Sequence, residues 1–286
     1  MHAPRRGICP AGDVRSPGII PLGMEHLPIL AGGREISRLA VRYDAPGEGD
    51  ARGDAPFCFL YLHGLGSDQA GEKAEYFRRQ ALAAGLPFCS FDFRGHGLSG
   101  GSMGDLTLTR NLEDVARVHG WLRERGHQRI CLIGSSMGGG TGLWYSALHP
   151  QAAEQIVAGL HIAPALDIES GLVAWAGPER LRLWEETGSI RFQNEFIACD
   201  LGWCLIEDLR AHPLDDLLRR YRTPALLLQG KKDTSVPWRS VTDFATRCHW
   251  EGVELHLFTD GDHRLTSYKD RLWRLMAEFL RGRHLI

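Results

Sequence analysis

The feature that most constrains this chain is an alternation of short apolar runs with longer segments of helical spacing. The runs Phe57 to Leu62, Phe88 to Phe93, Ile130 to Ile133, Ile156 to Ile162, Ala225 to Leu228 and Val253 to Phe258 are all of strand length. Between them, Leu112, Val115, Val118 and Leu122 share one helical face, and Leu272, Leu275, Met276 and Phe279 share another near the end of the chain. Strands separated by helices need long crossover connections, so the pattern predicts an α/β fold whose sheet is mostly parallel and covered on both faces. His26 to Leu30 and Ile36 to Tyr43 flank the turn signal Ala31-Gly32-Gly33-Arg34 and predict an antiparallel hairpin at the sheet edge. One interval breaks the rhythm. Between Pro164 and Arg222 no strand is expected, and amphipathic stretches carrying Leu172, Trp175, Leu181, Trp184, Phe192, Phe196, Trp203 and Leu205 predict a helical insertion. The expected organisation is an irregular segment over 1–20, a core over 21–164 and 223–286, and a helical cap over 165–222.

Charge and cysteine usage exclude several function classes. The 33 Lys and Arg nearly balance the 35 Asp and Glu, and basic pairs such as Arg5-Arg6, Arg219-Arg220 and Lys231-Lys232 are scattered rather than gathered into a cationic stripe, so nucleic acid is not an expected partner. No stretch approaches the roughly 18 apolar residues that span a bilayer, so no transmembrane segment is expected. Residues 1–20 contain Arg5, Arg6 and Arg15 but no continuous apolar run, which argues against a secretory signal. Cysteines number seven, an odd count, and Cys58, Cys89 and Cys131 fall inside strand-like runs, where a thiol acts as a small hydrophobe. A reducing, cytoplasmic location is expected.

Gly134-Ser135-Ser136-Met137-Gly138 fits the pattern G-x-S-x-G, in which a serine stands at the tip of a sharp strand-to-helix turn and its flanks tolerate little more than hydrogen. The pattern alone is common. Its context is not, because Ile130 to Ile133 reads as a strand directly before it and Gly138 to His149 has helical spacing directly after it. Ser136 is therefore the candidate nucleophile, and Ser135 is not at the exposed position. A serine hydroxyl needs a base within hydrogen-bond reach and an acid to orient that base. His161 and His256 fall inside strands, where a satisfied core or surface histidine is expected. His263 follows the last strand in the loop Thr259-Asp260-Gly261-Asp262-His263-Arg264, at the sheet edge where α/β sites collect, and is the candidate base. Asp233, just after the strand at Ala225 to Leu228, is the preferred acid; Asp167, after Ile156 to Ile162, is the competitor. Asp260 and Asp262 are too close to His263 along the chain. For the oxyanion formed on attack, the backbone N–H groups of Met137 and of Leu65, in His63-Gly64-Leu65-Gly66-Ser67, are the candidate donors.

With these residues in place the sequence resembles the α/β-hydrolase family over nearly all of residues 30–282. The resemblance is carried by His63-Gly64, Asp92-Phe93-Arg94-Gly95-His96-Gly97-Leu98-Ser99, Gly134 to Gly138, Asp233 and His263, in that order. Gly134-Ser135-Ser136-Met137-Gly138-Gly139, Asp233-Thr234-Ser235-Val236-Pro237-Trp238 and Asp262-His263-Arg264 look like the branch containing the mitochondrial palmitoyl-protein thioesterase, also an acyl-glucuronide esterase, and its bacterial serine-hydrolase relatives. The resemblance implies an α/β-hydrolase fold and acyl-enzyme chemistry on a small-molecule ester or thioester; that two-step chemistry needs neither metal nor organic cofactor. The same triad serves aminopeptidase-like enzymes and carbon–carbon bond hydrolases, and the scaffold also occurs in non-catalytic ligand-binding proteins, so these stay open at this level. Dehalogenases and epoxide hydrolases use a carboxylate nucleophile, which this elbow lacks.

Overall fold

The computed structural model describes residues 24–46, 55–149, 151–194 and 197–286, and in it all the expected runs pair into one eight-stranded sheet. The strands are β1 (Met24–Ala31), β2 (Arg34–Asp44), β3 (Cys58–Leu62), β4 (Phe88–Phe91), β5 (Ile130–Ser135) and β6 (Ile156–Ile162), followed, after a separate pair β7 (Ser189–Gln193) and β8 (Ala198–Gly202), by β9 (Ala225–Gly230) and β10 (Val253–Phe258). Their order across the sheet is β1-β2-β4-β3-β5-β6-β9-β10. Only β2 opposes its neighbours: it pairs antiparallel with β1 and β4, while β4-β3-β5-β6-β9-β10 are joined in parallel. The C-terminal ends of β3, β5, β9 and β10 therefore lie along one edge. The helices are α1 (Glu72–Ala83), α2 (Leu108–Glu124), α3 (Met137–Leu148), α4 (Ala152–Gln155), α5 (Ile168–Thr187), α6 (Cys204–Arg210), α7 (Leu214–Arg220), α8 (Trp238–Arg247) and α9 (Lys269–Gly282). The segment expected to be irregular, 1–20, lies outside the described residues.

Successive strand side chains point to opposite faces, so a strand covered on both sides must be apolar throughout. That is why β3 reads as a continuous apolar run. Its Leu60 and Leu62 join one core with Val115, Val118 and Leu122 of α2, Leu143 of α3 and Phe244 of α8. Its Phe59 and Tyr61 join a second core with Phe77 of α1 and Leu272, Met276 and Phe279 of α9. Cys58, Cys89 and Cys131 are fully buried strand residues with free thiols, as their sequence context predicts.

The region between β6 and β9 corrects the expectation of helices alone. It contains α5, α6 and α7, but also the antiparallel hairpin of β7 and β8. Helix α5 is broken at Gly177 (φ 67°, ψ 171°), ahead of Pro178, whose ring cannot donate a backbone hydrogen bond. It ends at Gly188, whose left-handed φ of 75° closes the helix and starts the hairpin. Of the aromatic residues expected there, Trp184, Phe192 and Trp203 are buried, with the Trp184 and Trp203 rings edge to face at 5.8 Å. Phe196 lies outside the described residues. No helix among the described residues is long and apolar enough to cross a membrane.

Candidate active site

Strand β5 passes into helix α3 through Ser136, whose φ of 54° and ψ of −118° are strained for a residue with a side chain. The neighbours over-determine this conformation. The Ser136 N–H donates to the Ile162 carbonyl at 2.9 Å, and its own carbonyl accepts from Gly140 and Ala165, each at 3.0 Å. The glycines are a steric requirement: a Cβ at Gly134 would lie 2.6 Å from the Gly138 carbonyl oxygen, and one at Gly138 would lie 2.1 Å from that of Leu62. Both obstacles are backbone and cannot rotate away. Gly138→Ala is therefore expected to destabilise the protein by about 3 kcal/mol or more, lowering the melting temperature by roughly 10 °C. A melt indistinguishable from wild type would contradict the close approach of α3 to β3.

The structure brings the three candidate catalytic side chains together at the C-terminal edge of the sheet. His263 Nε2 is 3.1 Å from Ser136 Oγ, and His263 Nδ1 is 2.8 Å from Asp233 Oδ2. The loops that carry His263 and Asp233 are joined by backbone bonds, Lys231 N–H to the Phe258 carbonyl at 2.8 Å and Lys232 N–H to that of Gly261 at 2.9 Å. The Asp233 side chain is fully buried. Its Oδ1 accepts from the N–H groups of Ser235 and Val236, both at 2.8 Å, and its Oδ2 also accepts from Gln229 Nε2 at 3.0 Å. Burial alone would raise this carboxyl, but its bond to His263, the histidine's charge and these donors hold it below the ordinary carboxylate range. Asp233 is thus ionised at neutral pH.

Beside the serine, the loop after β3 passes so near that a Cβ at Gly64 would be 3.3 Å from Ser136 Cβ. Leu65 follows directly, and Met137 supplies the first N–H of α3, one of the donors a helix cannot satisfy internally. The buried ring of His63 fixes this loop. Its Nε2 accepts the Phe93 N–H at 3.0 Å, which puts the proton on Nδ1, and Nδ1 donates to the Gly64 carbonyl at 2.9 Å. Burial lowers its pKa to about 4, so the ring is neutral in this role. Asp92 braces the same region, accepting from the Gln69 N–H at 2.7 Å and the Leu98 N–H at 2.8 Å. The β7–β8 hairpin approaches the loop: a Cβ at Gly66 would lie 2.4 Å from Ile197 Cδ1.

The other candidates fall elsewhere. Asp167 is exposed and caps α5 by accepting the Ser170 N–H. Ser135 is buried, and its hydroxyl accepts from Lys73 Nζ at 2.7 Å. Asp262 Oδ1 accepts from the Leu265 N–H, and exposed Asp260 is held to Tyr268. His256 is half-buried beside Arg271. His161 corrects the expectation of a satisfied core histidine: it is fully buried, burial lowers its pKa to about 3, and among the described residues neither ring nitrogen has a hydrogen-bond partner. Its ring fills the space left by Gly142 and Gly159. Gln229 and Lys73 are at the site without any sequence signal, since neither belongs to a motif and only the tertiary fold brings them there.

Residues 59–277 match the alpha/beta hydrolase family. The chain belongs to the α/β-hydrolase family. This α/β-hydrolase is 28% identical over 229 residues to palmitoyl-protein thioesterase ABHD10, mitochondrial, of Mus musculus, an alignment covering 74% of this chain and 70% of that protein. To the serine hydrolase BPHL of Homo sapiens it is 24% identical over 256 residues, covering 86% and 84%. The solved structure of alpha/beta hydrolase domain-containing protein 10 from mouse has the same fold, with a TM-score of 0.73 at 22% identity over 91% of this chain and 98% of that one.

Proposed function

We propose that this α/β-hydrolase cleaves a carboxylic ester or thioester through an acyl-enzyme intermediate on Ser136. The observation that carries the reading is the continuous hydrogen-bonded chain Ser136 Oγ, His263 Nε2, His263 Nδ1, Asp233 Oδ2. In the proposed mechanism Ser136 Oγ attacks the carbonyl carbon while His263 Nε2 takes its proton, and the oxyanion is received by the N–H groups of Leu65 and Met137. The imidazolium, stabilised by Asp233, protonates the leaving alcohol or thiol. Water then attacks the acyl-enzyme with His263 again as base, which frees the acid and restores Ser136. The name of the mammalian relatives, palmitoyl-protein thioesterase, supports an acyl thioester as one substrate class.

Residues 165–222 are read as a cap over this site. Half-buried Leu65 and Ile197, next to the oxyanion loop, suit an apolar acyl chain. Cytoplasmic placement is proposed on the six described cysteines, all free thiols; the relative palmitoyl-protein thioesterase ABHD10 carries the description mitochondrial.

The test is hydrolysis of matched oxyesters and thioesters of graded acyl length. Turnover of acyl substrates with an optimum in chain length is expected, and the preferred leaving atom separates esterase from thioesterase. Inactivity on every member, with hydrolysis of aminoacyl amides or vinylogous diketones instead, would overturn the reading.

A further inference from the structure

We infer that Lys73 is a positioning residue of this site, its ammonium fastening the loop of the catalytic base to the strand of the nucleophile. The inference rests on the reading of Ser136, Asp233 and His263 as the catalytic set. Lys73 lies in the first turn of α1, and its Nζ donates to Ser135 Oγ at 2.7 Å and to the Arg264 carbonyl at 3.0 Å. One partner is the neighbour of Ser136 and the other the neighbour of His263. A single side chain thus ties together the two segments whose separation sets the Ser136 to His263 contact, which joins residues 127 positions apart.

The helix that presents Lys73 is itself anchored on both flanks. Glu75 pairs with Arg42 of β2 at 2.5 Å, Tyr76 Oη donates to Asp270 of α9 at 2.7 Å, and Glu72 pairs with Lys269 at 2.8 Å. Packing does not require a charge here, since an unbranched apolar side chain would fill the same path. What lysine adds is three donors and no acceptor, matched to a hydroxyl and a carbonyl, with bonds strengthened by the charge. The groups acting on the ammonium are Glu72 on its own helix, Asp233 after β9, and Asp262 and Arg264 on the loop after β10. Burial and Arg264 loosen its proton, the three carboxylates retain it, and the balance brings the amine down to about 8. The charge is therefore present at neutral pH and lost as pH rises through that value. The clamp weakens on the alkaline side.

The test compares Lys73→Met, which keeps the stem and removes the donors, with Lys73→Arg and with Ser136→Ala, using the best ester or thioester substrate between pH 6 and 10. For Lys73→Met, kcat at pH 7 is expected to fall about 30-fold with KM changed less than about twofold, because misplacement by a fraction of an ångström is costly to a proton-transfer geometry. The alkaline inflection of the wild type should vanish, there being no amine to titrate. Lys73→Arg should recover most of kcat and also lack the inflection, since a guanidinium stays charged. A wild-type kcat in Lys73→Met, or an unchanged alkaline inflection in either variant, overturns the inference while Ser136→Ala remains inactive. Turnover retained by Ser136→Ala would instead overturn the underlying reading. Should circular dichroism show Lys73→Met unfolded, the Arg variant decides by its inflection alone.

Discussion

Ser136→Ala is expected to lower kcat by about a million-fold with little change in melting temperature. Among the described residues the side chain bonds to His263 Nε2, at 3.1 Å, and His263 is only half-buried, so removing the hydroxyl strands no fully buried group. The backbone that holds the residue at φ 54° is bonded through its own N–H and carbonyl, and an alanine keeps both. Stability should thus change by less than about 0.5 kcal/mol, as at sites without a packing or polar penalty. What remains is the catalysis the proposed oxyanion donors, the N–H groups of Leu65 and Met137, would provide to a water attack. Turnover within tenfold of wild type would transfer the nucleophile elsewhere, and Ser135, turned toward Lys73, would need to be tested next.

Asp233→Asn is expected to reduce kcat by about ten-thousand-fold, for a different reason. The Ser235 and Val236 N–H groups both point at Oδ1 and would select the amide oxygen for that position. The amide nitrogen then faces His263 Nδ1 and Gln229 Nε2, where Oδ2 had accepted from both. It would donate to Nδ1 and force the imidazole proton onto Nε2, pointing at Ser136. The base would be in the wrong tautomer to accept. Two donors facing each other at Gln229 should add about 1–3 kcal/mol of destabilisation, so the melting temperature also drops by several degrees. Asp167→Asn, at an exposed helix cap, should leave kcat unchanged. Equal losses at both positions would remove the distinction drawn between the two carboxylates.

The contrast between those aspartates marks what the sequence could reveal. Both follow strand ends in the chain order Ser, Asp, His that the α/β-hydrolase fold uses, and nothing local separates them; the choice depends on β9 and β10 being neighbours, a tertiary fact. Ser136 was legible because its turn leaves room only for glycine at Gly134 and Gly138, a constraint written into adjacent residues. The parallel strands were legible because burial on both faces makes them apolar throughout. Strands β7 and β8 were not: each offers a single alternating apolar pair, Ile190 with Phe192 and Cys199 with Leu201, too short to register as period two among neighbouring aromatic residues. Lys73 and Gln229 were equally silent. Their roles arise from what stands opposite them, which no spacing along the chain encodes.

The most direct test of the account is to trap the covalent intermediate. The wild-type protein would be mixed with an activated acyl ester, or with a fluorophosphonate, then digested and read by mass spectrometry. One adduct per chain is predicted, on Ser136, formed slowly or not at all in His263→Ala. An adduct on any other residue, or rapid turnover with Ser136 unmodified, would contradict the acyl-enzyme at the centre of the proposed function.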